Sequence, residues 1–174
     1  MKKLVLAILF IAFIIPLNAQ TKKELKNEAE AKEYADMKSL VDSKEYVFEA
    51  DWASTQKGRR INLISNPNFL RMDQENADID MPYFGVVQSP SVGFGGEGGI
   101  VFKGAVDNYD VQYNDKKQKA VIKFKAKGKS DHFTFTLTVF KNNNATLYVS
   151  SNSRNGISYD GKVAKLEKAV SNKQ

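Results

Sequence analysis

The residues whose types and spacing suggest chemistry lie in one glycine-rich stretch, "YFGVVQSPSVGFGGEGGIVF", Tyr83 to Phe102. Within it, Gly93-Phe94-Gly95-Gly96-Glu97-Gly98 satisfies the spacing G-x-G-x-x-G. In dinucleotide-binding proteins those glycines let a helix N-terminus approach a pyrophosphate directly after a strand. That chemistry needs a helix after the last glycine. Here Gly98-Gly99 leads into "IVFKGAV", a β-branched and aromatic run that reads as strand. Asp115 stands near the position of the ribose-binding acid, but in a Lys-rich turn with no βαβ unit around it. The full P-loop pattern, G-x-x-x-x-G-K-[ST], is absent. The match is read as accidental, and no cofactor is expected.

Ser89 to Gly99 is still an unusual connection: 11 residues with five glycines, longer than most links in a compact domain. Two readings stand. In the first, favoured by the residues, the glycines serve a tight crossing where only glycine fits beneath a neighbouring strand. In the second the loop is a binding flap, with Phe94 closing over a ligand and Glu97 contacting a polar or cationic group. Tyr83 and Phe84 lie close by in the chain, and aromatics beside one carboxylate suit a sugar, peptide or lipid fragment. Arg154, in "SNSRNG", is placed between two strands to pair with Glu97 or Asp110 or to bind an anion. The candidate ligand-binding set is therefore Tyr83, Phe84, Phe94, Glu97 and Arg154.

Other chemistry is thin. His132 is the only histidine and falls on the threonine face of a strand, so a Ser-His-Asp arrangement has no pocket to work in. With one His and no Cys, zinc and copper sites are not expected. Asp73, Glu75, Asp78 and Asp80 cluster in "DQENADID" without the order of a calcium loop, and read as a solvated turn. Glu97 offers a glycosidase one carboxylate with no visible partner. No catalytic residue is assigned. Lys119, Lys123, Lys125 and Lys127 share one face of a strand. They read as an exposed face or a defended edge before a lipid-headgroup contact.

These residues need a frame to hold them. Met1-Lys2-Lys3, the apolar run "LVLAILFIAFII" and "PLNAQ" have the layout of a secretory signal, residues 1–19, cleaved between Ala19 and Gln20. With no Cys after it, the product is not a lipoprotein. It is expected to be soluble in the periplasm or outside the cell, with no transmembrane segment after cleavage. What remains of the 174 residues is a one-domain length. The formal charge of +6 is mild. It fits weak attraction to anionic surfaces, and no nucleic-acid partner is expected.

Residues 20–44 read as a helix whose apolar side chains, Tyr34, Met37, Leu40 and Val41, gather on one face late in the segment. From Glu45 the period changes to two. In "YVFEADW", Tyr46, Phe48, Ala50 and Trp52 alternate with Val47, Glu49 and Asp51. "KAVIKFKAK", "HFTFTLTVF" and "ATLYVS" alternate more clearly still. Asp160-Gly161 carries a hairpin signal between Ile157–Tyr159 and Lys162–Leu166. Short strands with turns between them, and no crossover helix, indicate an antiparallel β-sandwich or half-open barrel of about nine or ten strands after one helix. The β domain is set at 45–170 and a tail at 171–174.

"PYFG" (Pro82 to Gly85), the glycine run into "GGIVF" (Gly98 to Phe102) and "SRNGISYDG" (Ser153 to Gly161) resemble a family of exported proteins from Gram-negative bacteria known as the domain-of-unknown-function family numbered 4251. The resemblance spans about Tyr46 to Val163 and implies no activity. The expectation is an uncharacterised exported envelope protein, a non-catalytic module that binds a sugar, lipid or peptide at the Tyr83–Gly99 end. The alternative is a structural or interaction module docking a protein partner through its helix or a strand edge. A hydrolase is the weakest of the three.

Overall fold

The computed structural model describes residues 21–86, 98–128 and 131–167. The chain divides after Ala31 into two compact units. In the first, the described part is the opening of helix α1 (Lys22–Asp42). Thr21 and Glu24 cap it reciprocally. The Glu24 amide donates to Thr21 Oγ1 (3.3 Å) and the Thr21 amide donates to Glu24 Oε2 (2.7 Å), satisfying helix donors that would otherwise lack partners. Side chains from Thr21 to Ala29 are exposed, as a segment without an apolar stripe must be.

In the second unit, Tyr34, Met37 and Val41 bury the other end of α1, at the spacing of three and four that puts them on one face. Ten antiparallel strands follow: β1 (Glu45–Thr55), β2 (Arg60–Asn62), β3 (Phe69–Asp73), β4 (Asn76–Met81), β5 (Ile100–Ala105), β6 (Asp107–Asn114), β7 (Lys119–Lys127), β8 (His132–Phe140), β9 (Asn144–Ser151) and β10 (Ile157–Lys165). The ladder runs β5-β4-β3-β1-β10-β9-β8-β7-β6, with β2 paired to β1. Its two end strands, β5 and β6, are separated in the chain by Val106 alone. A sheet whose edges are consecutive in the chain has to curl until they meet at that corner, so it is nearly closed and barrel-like rather than a two-layer sandwich.

Alternation fills the interior. Tyr46, Phe48, Leu70, Ile79, Ile122, Phe135, Leu137 and Tyr159 are all fully buried. Phe124 stacks on Phe135 with ring centres 4.8 Å apart. These side chains form one packed hydrophobic cluster. The end of α1 lies along β6: the Tyr34 hydroxyl donates to Asp115 Oδ1 (2.9 Å). Lys38 reaches the same oxygen (3.2 Å) and sits 5.0 and 4.9 Å from the ring centres of Tyr34 and Tyr113. The Tyr113 hydroxyl donates to Asp42. Burial and the Asp115 carboxylate push the Tyr34 hydroxyl up to about 12. Asp115 is held below its ordinary value by the Tyr34 hydroxyl first and Lys38 second.

Three expectations need correction. Asp160-Gly161 is not a turn, because β10 runs through it unbroken. Gly161 faces Ala50 of β1, where an added methyl would overlap Glu49 O and lie 2.7 Å from Ala50 Cα. The glycine answers a close strand approach. At the same point β1 carries a bulge between Ala50 and Trp52. The extra residue turns Trp52 partly outward and Ala53 inward, breaking the alternation expected through Trp52. Buried Asn68 covers the bulge: its Oδ1 accepts from the Ala50 amide (2.8 Å), and its Nδ2 donates to Ala50 O (3.0 Å) and Asn66 O (2.9 Å). The acidic run is also mostly strand: Asn76–Met81 forms β4, with Ala77, Ile79 and Met81 inward.

Candidate functional site

Asn152 to Gly156, the link between β9 and β10, gathers one end of the barrel. The Ser151 hydroxyl accepts from the amides of Ser153 (3.3 Å) and Arg154 (3.0 Å), which tightens the link and turns the Arg154 side chain inward. There Arg154 Nε donates to Asp131 Oδ2 at 2.8 Å, and the other Asp131 oxygen accepts from the Ser153 hydroxyl. The pair is buried, with side-chain exposures of 8% for Arg154 and 5% for Asp131. A second arm, Arg154 Nη1, donates to the carbonyl of Gly99 at 2.8 Å. The guanidinium lies 5.1 Å from the Tyr83 ring centre and 5.8 Å from that of Phe133, so aromatic faces share its charge.

Asn155 holds the other side. Its amide donates to Val86 O (3.1 Å), and the Tyr83 hydroxyl reaches both Asn155 O (2.9 Å) and Val86 O (3.0 Å). The Tyr159 hydroxyl donates to Pro82 O at 2.7 Å. Two adjacent residues therefore fasten the chain at Val86 and at Gly99, on either side of the glycine-rich segment. Burial pushes the Tyr83 hydroxyl above its ordinary value, and the Arg154 charge works in the opposite direction. Tyr159 is raised further, again by burial.

Of the expected site residues, Tyr83 and Arg154 are brought into contact. Phe84 adjoins them and keeps 37% of its surface exposed, and Val86 keeps 50%. Phe94 and Glu97 lie outside the described residues. Arg154 pairs with Asp131, a partner the sequence reading did not name. Asp131 and Ser153 were missed because they come from separate links, and only the β8–β9–β10 register carries them together. The one available signal was that an arginine drawn into a β-sheet end must find an acid. As chemistry, this cluster positions backbone. The carboxylate and the serine hydroxyl are buried and committed to partners, so neither is presented to a substrate.

Elsewhere His132 is exposed. Asp78 pairs with Lys103 (3.1 Å), and Lys127 with Asp107 (3.1 Å). Among the described residues no group of three or more acidic or histidine side chains is placed to hold a metal ion. No helix among them is long and apolar enough to cross a membrane. Open grooves of about 460 and 450 Å³ run over the outer faces of β1 and β3, lined by Glu49, Asp51, Arg71 and Lys162 among others, with acids and bases interleaved.

The fold and this site define a class: a small, nearly closed antiparallel barrel preceded by a helix, with a hydrophobic core and a clamped end. The family model "Domain of unknown function (DUF4251)" matches residues 28–163, and the chain belongs to that family. A solved structure of a DUF4251 family protein from Bacteroides eggerthii DSM 20697 is similar in fold. It has a TM-score of 0.61 and 24% identity, over 79% of this chain and 91% of that one. A search of the curated proteins returns no match.

Proposed function

We propose that this is an exported, non-catalytic binding module of the cell envelope, whose ligand surface is the barrel end carrying Tyr83, Phe84 and Val86. The observation behind this reading is the pairing of a rigid base with exposed apolar side chains. A buried Arg154–Asp131 pair and Asn155 fix the backbone, while Phe84 and Val86 on that backbone stay open to solvent. Rigid scaffolding beneath exposed apolar groups lowers the ordering cost of binding. In this reading Arg154 is a positioning residue, Phe84 a contact residue, and Phe94 and Glu97 further contacts. The signal-like opening supports export.

A thermal-shift and NMR screen of envelope sugars, short-chain lipids and peptides tests the proposal. A ligand raising the melting temperature of the wild type but not of Phe84→Ser supports it. No shift from any class sinks it. The second reading, a protein-docking module, draws on the exposed opening of α1 with Leu25 half open. In-cell crosslinking to a partner that is lost when residues 21–31 are deleted would favour that reading instead.

A further inference from the structure

We propose that the barrel end opposite the clamp is a contact surface for an anionic phospholipid membrane, with Phe140 as its apolar wedge beside Lys116, Lys117 and Lys141. Two turns form it. In the link between β6 and β7, Asn114 Oδ1 accepts from the Lys117 amide (2.9 Å), and the Gln118 amide donates to Asp115 O (3.3 Å). The turn between β8 and β9 is closed by the Asn143 amide on Phe140 O (2.8 Å). The Lys141 amide donates to Gln118 O (3.1 Å) and fastens the two turns together. Strand β9 sets them apart from Ser151 and the clamp by roughly 23 Å at the rise of an extended chain.

Between the turns lies an open groove of about 430 Å³, lined by Lys116, Lys117, Phe140, Lys141 and amide residues, and by no carboxylate among the described residues. The grooves over β1 and β3 interleave acids with bases, and this one does not. Asp115, the acid of the first turn, is taken up on the helix side by the Tyr34 hydroxyl (2.9 Å) and Lys38 (3.2 Å). Lys116 and Lys117 are exposed and make no ion pair among the described residues. Lys119 has Asn114 and Phe140 as its ladder neighbours, so no acid faces it across the sheet. The charge left over is positive, and its complement is an anion.

Phe140 gives the kind of anion. It is the last residue of β8, next to buried Val139, and 40% of its surface is open to solvent within the lysine-lined groove. A free phosphate would satisfy the lysines and leave the ring in water. A phospholipid surface satisfies both. Headgroup phosphates meet the ammonium groups while the ring enters the boundary between headgroups and acyl chains, where aromatic side chains and snorkelling lysines settle. This surface lies at the other end of the barrel from Phe84 and does not depend on the reading given for that end.

Sedimentation of the full chain with vesicles of phosphatidylcholine, with and without phosphatidylglycerol, tests the proposal, and beads bearing poly-L-glutamate form a parallel arm. Lys2, Lys3 and the apolar opening are common to every variant, so differences between variants read this end of the barrel. The expected result is binding that rises with phosphatidylglycerol and falls with added salt. Each lysine near an anionic surface is worth about fivefold, so Lys116→Gln with Lys117→Gln should bind about twenty- to thirtyfold more weakly. Phe140→Ser should lose about fivefold. Phe140→Leu stays apolar and keeps the binding, which separates insertion from any folding defect. Lys123→Gln with Lys125→Gln removes the same charge from a face where Asp110 and Asp107 stand opposite, and should bind within about twofold of the wild type. Indifference to phosphatidylglycerol, an equal loss in the two double variants, undiminished binding by Phe140→Ser, or equal capture by poly-L-glutamate would each overturn the proposal.

Discussion

Replacing Arg154 with alanine asks whether the clamp bears load. Arg154 and Asp131 are almost wholly removed from water, so the variant leaves a buried carboxylate whose remaining hydrogen-bond partner among the described residues is the Ser153 hydroxyl. Breaking such a pair from one side costs about 3–5 kcal/mol, because the remaining charge stays uncompensated. For a domain of this size each kcal/mol is worth about 2–4 °C, so the midpoint should fall by roughly 6–20 °C. Urea unfolding should show a lower midpoint at unchanged slope. Hydrogen exchange at Asn155, whose amide donates to Val86 O, should speed up beyond what the global loss explains. Arg154→Lys should sit between, since a lysine reaches Asp131 without also reaching Gly99. Asp131→Leu with Arg154→Leu, which removes both charges, should regain part of the loss. A cost for Arg154→Ala under about 1 kcal/mol, the range of a solvent-exposed pair, would refute the reasoning, because the clamp would then not be a buried one.

Gly161→Ala should destabilise by about 3 kcal/mol or more, at the upper end of overpacking costs, because the groups it meets are backbone and cannot swing aside; chemical denaturation measures it. The hydroxyls of Tyr34, Tyr46, Tyr109, Tyr113 and Tyr159 are raised above their ordinary value, chiefly by burial. Their contribution is complete below pH 10 and is lost as pH rises through the folded values, since the unfolded chain gives up its protons first; for Tyr34 the window is between 10.0 and about 12. Tyrosinate absorbance from these five should therefore appear together with loss of circular dichroism, and smooth titration of all five near pH 10 in a folded chain would contradict this. Asp115, held below its ordinary value, has the opposite sign: its contribution is present above the usual carboxylate range and lost as pH falls through the lowered value. Asp115→Asn and Tyr34→Phe should each raise hydrogen exchange around Met37 and reduce its dependence on acid pH.

Much of the fold was legible because alternation is local. "HFTFTLTVF" puts Phe133, Phe135, Leu137 and Val139 inward whatever it pairs with, and β8 is that strand. The helix face of Tyr34, Met37 and Val41 was readable for the same reason. What failed was set by neighbours. Gly161 carries a turn residue's letter, yet it is glycine because β1 passes within contact of it. The bulge that rotates Trp52 outward has no signature in "YVFEADW", since it depends on Asn68, eighteen positions on, supplying the missing hydrogen bonds. Strand β4 was hidden by Asp78 and Asp80, whose charges look like a turn until Lys103 on β5 is seen opposite Asp78. In the candidate site, Tyr83 and Arg154 were found as types that suit a ligand. That Arg154 would be committed to Asp131 follows only from cross-strand register.

The most direct test of the central claim is a ¹H–¹⁵N titration of the full chain with envelope sugars, short-chain lipids and extended peptides, run in parallel on Phe84→Ser. The account predicts shifts from one of these classes centred on Phe84, Val86, Gly99 and Asn155, saturating without turnover and absent in the variant. Shifts centred elsewhere, or identical in Phe84→Ser, would contradict it.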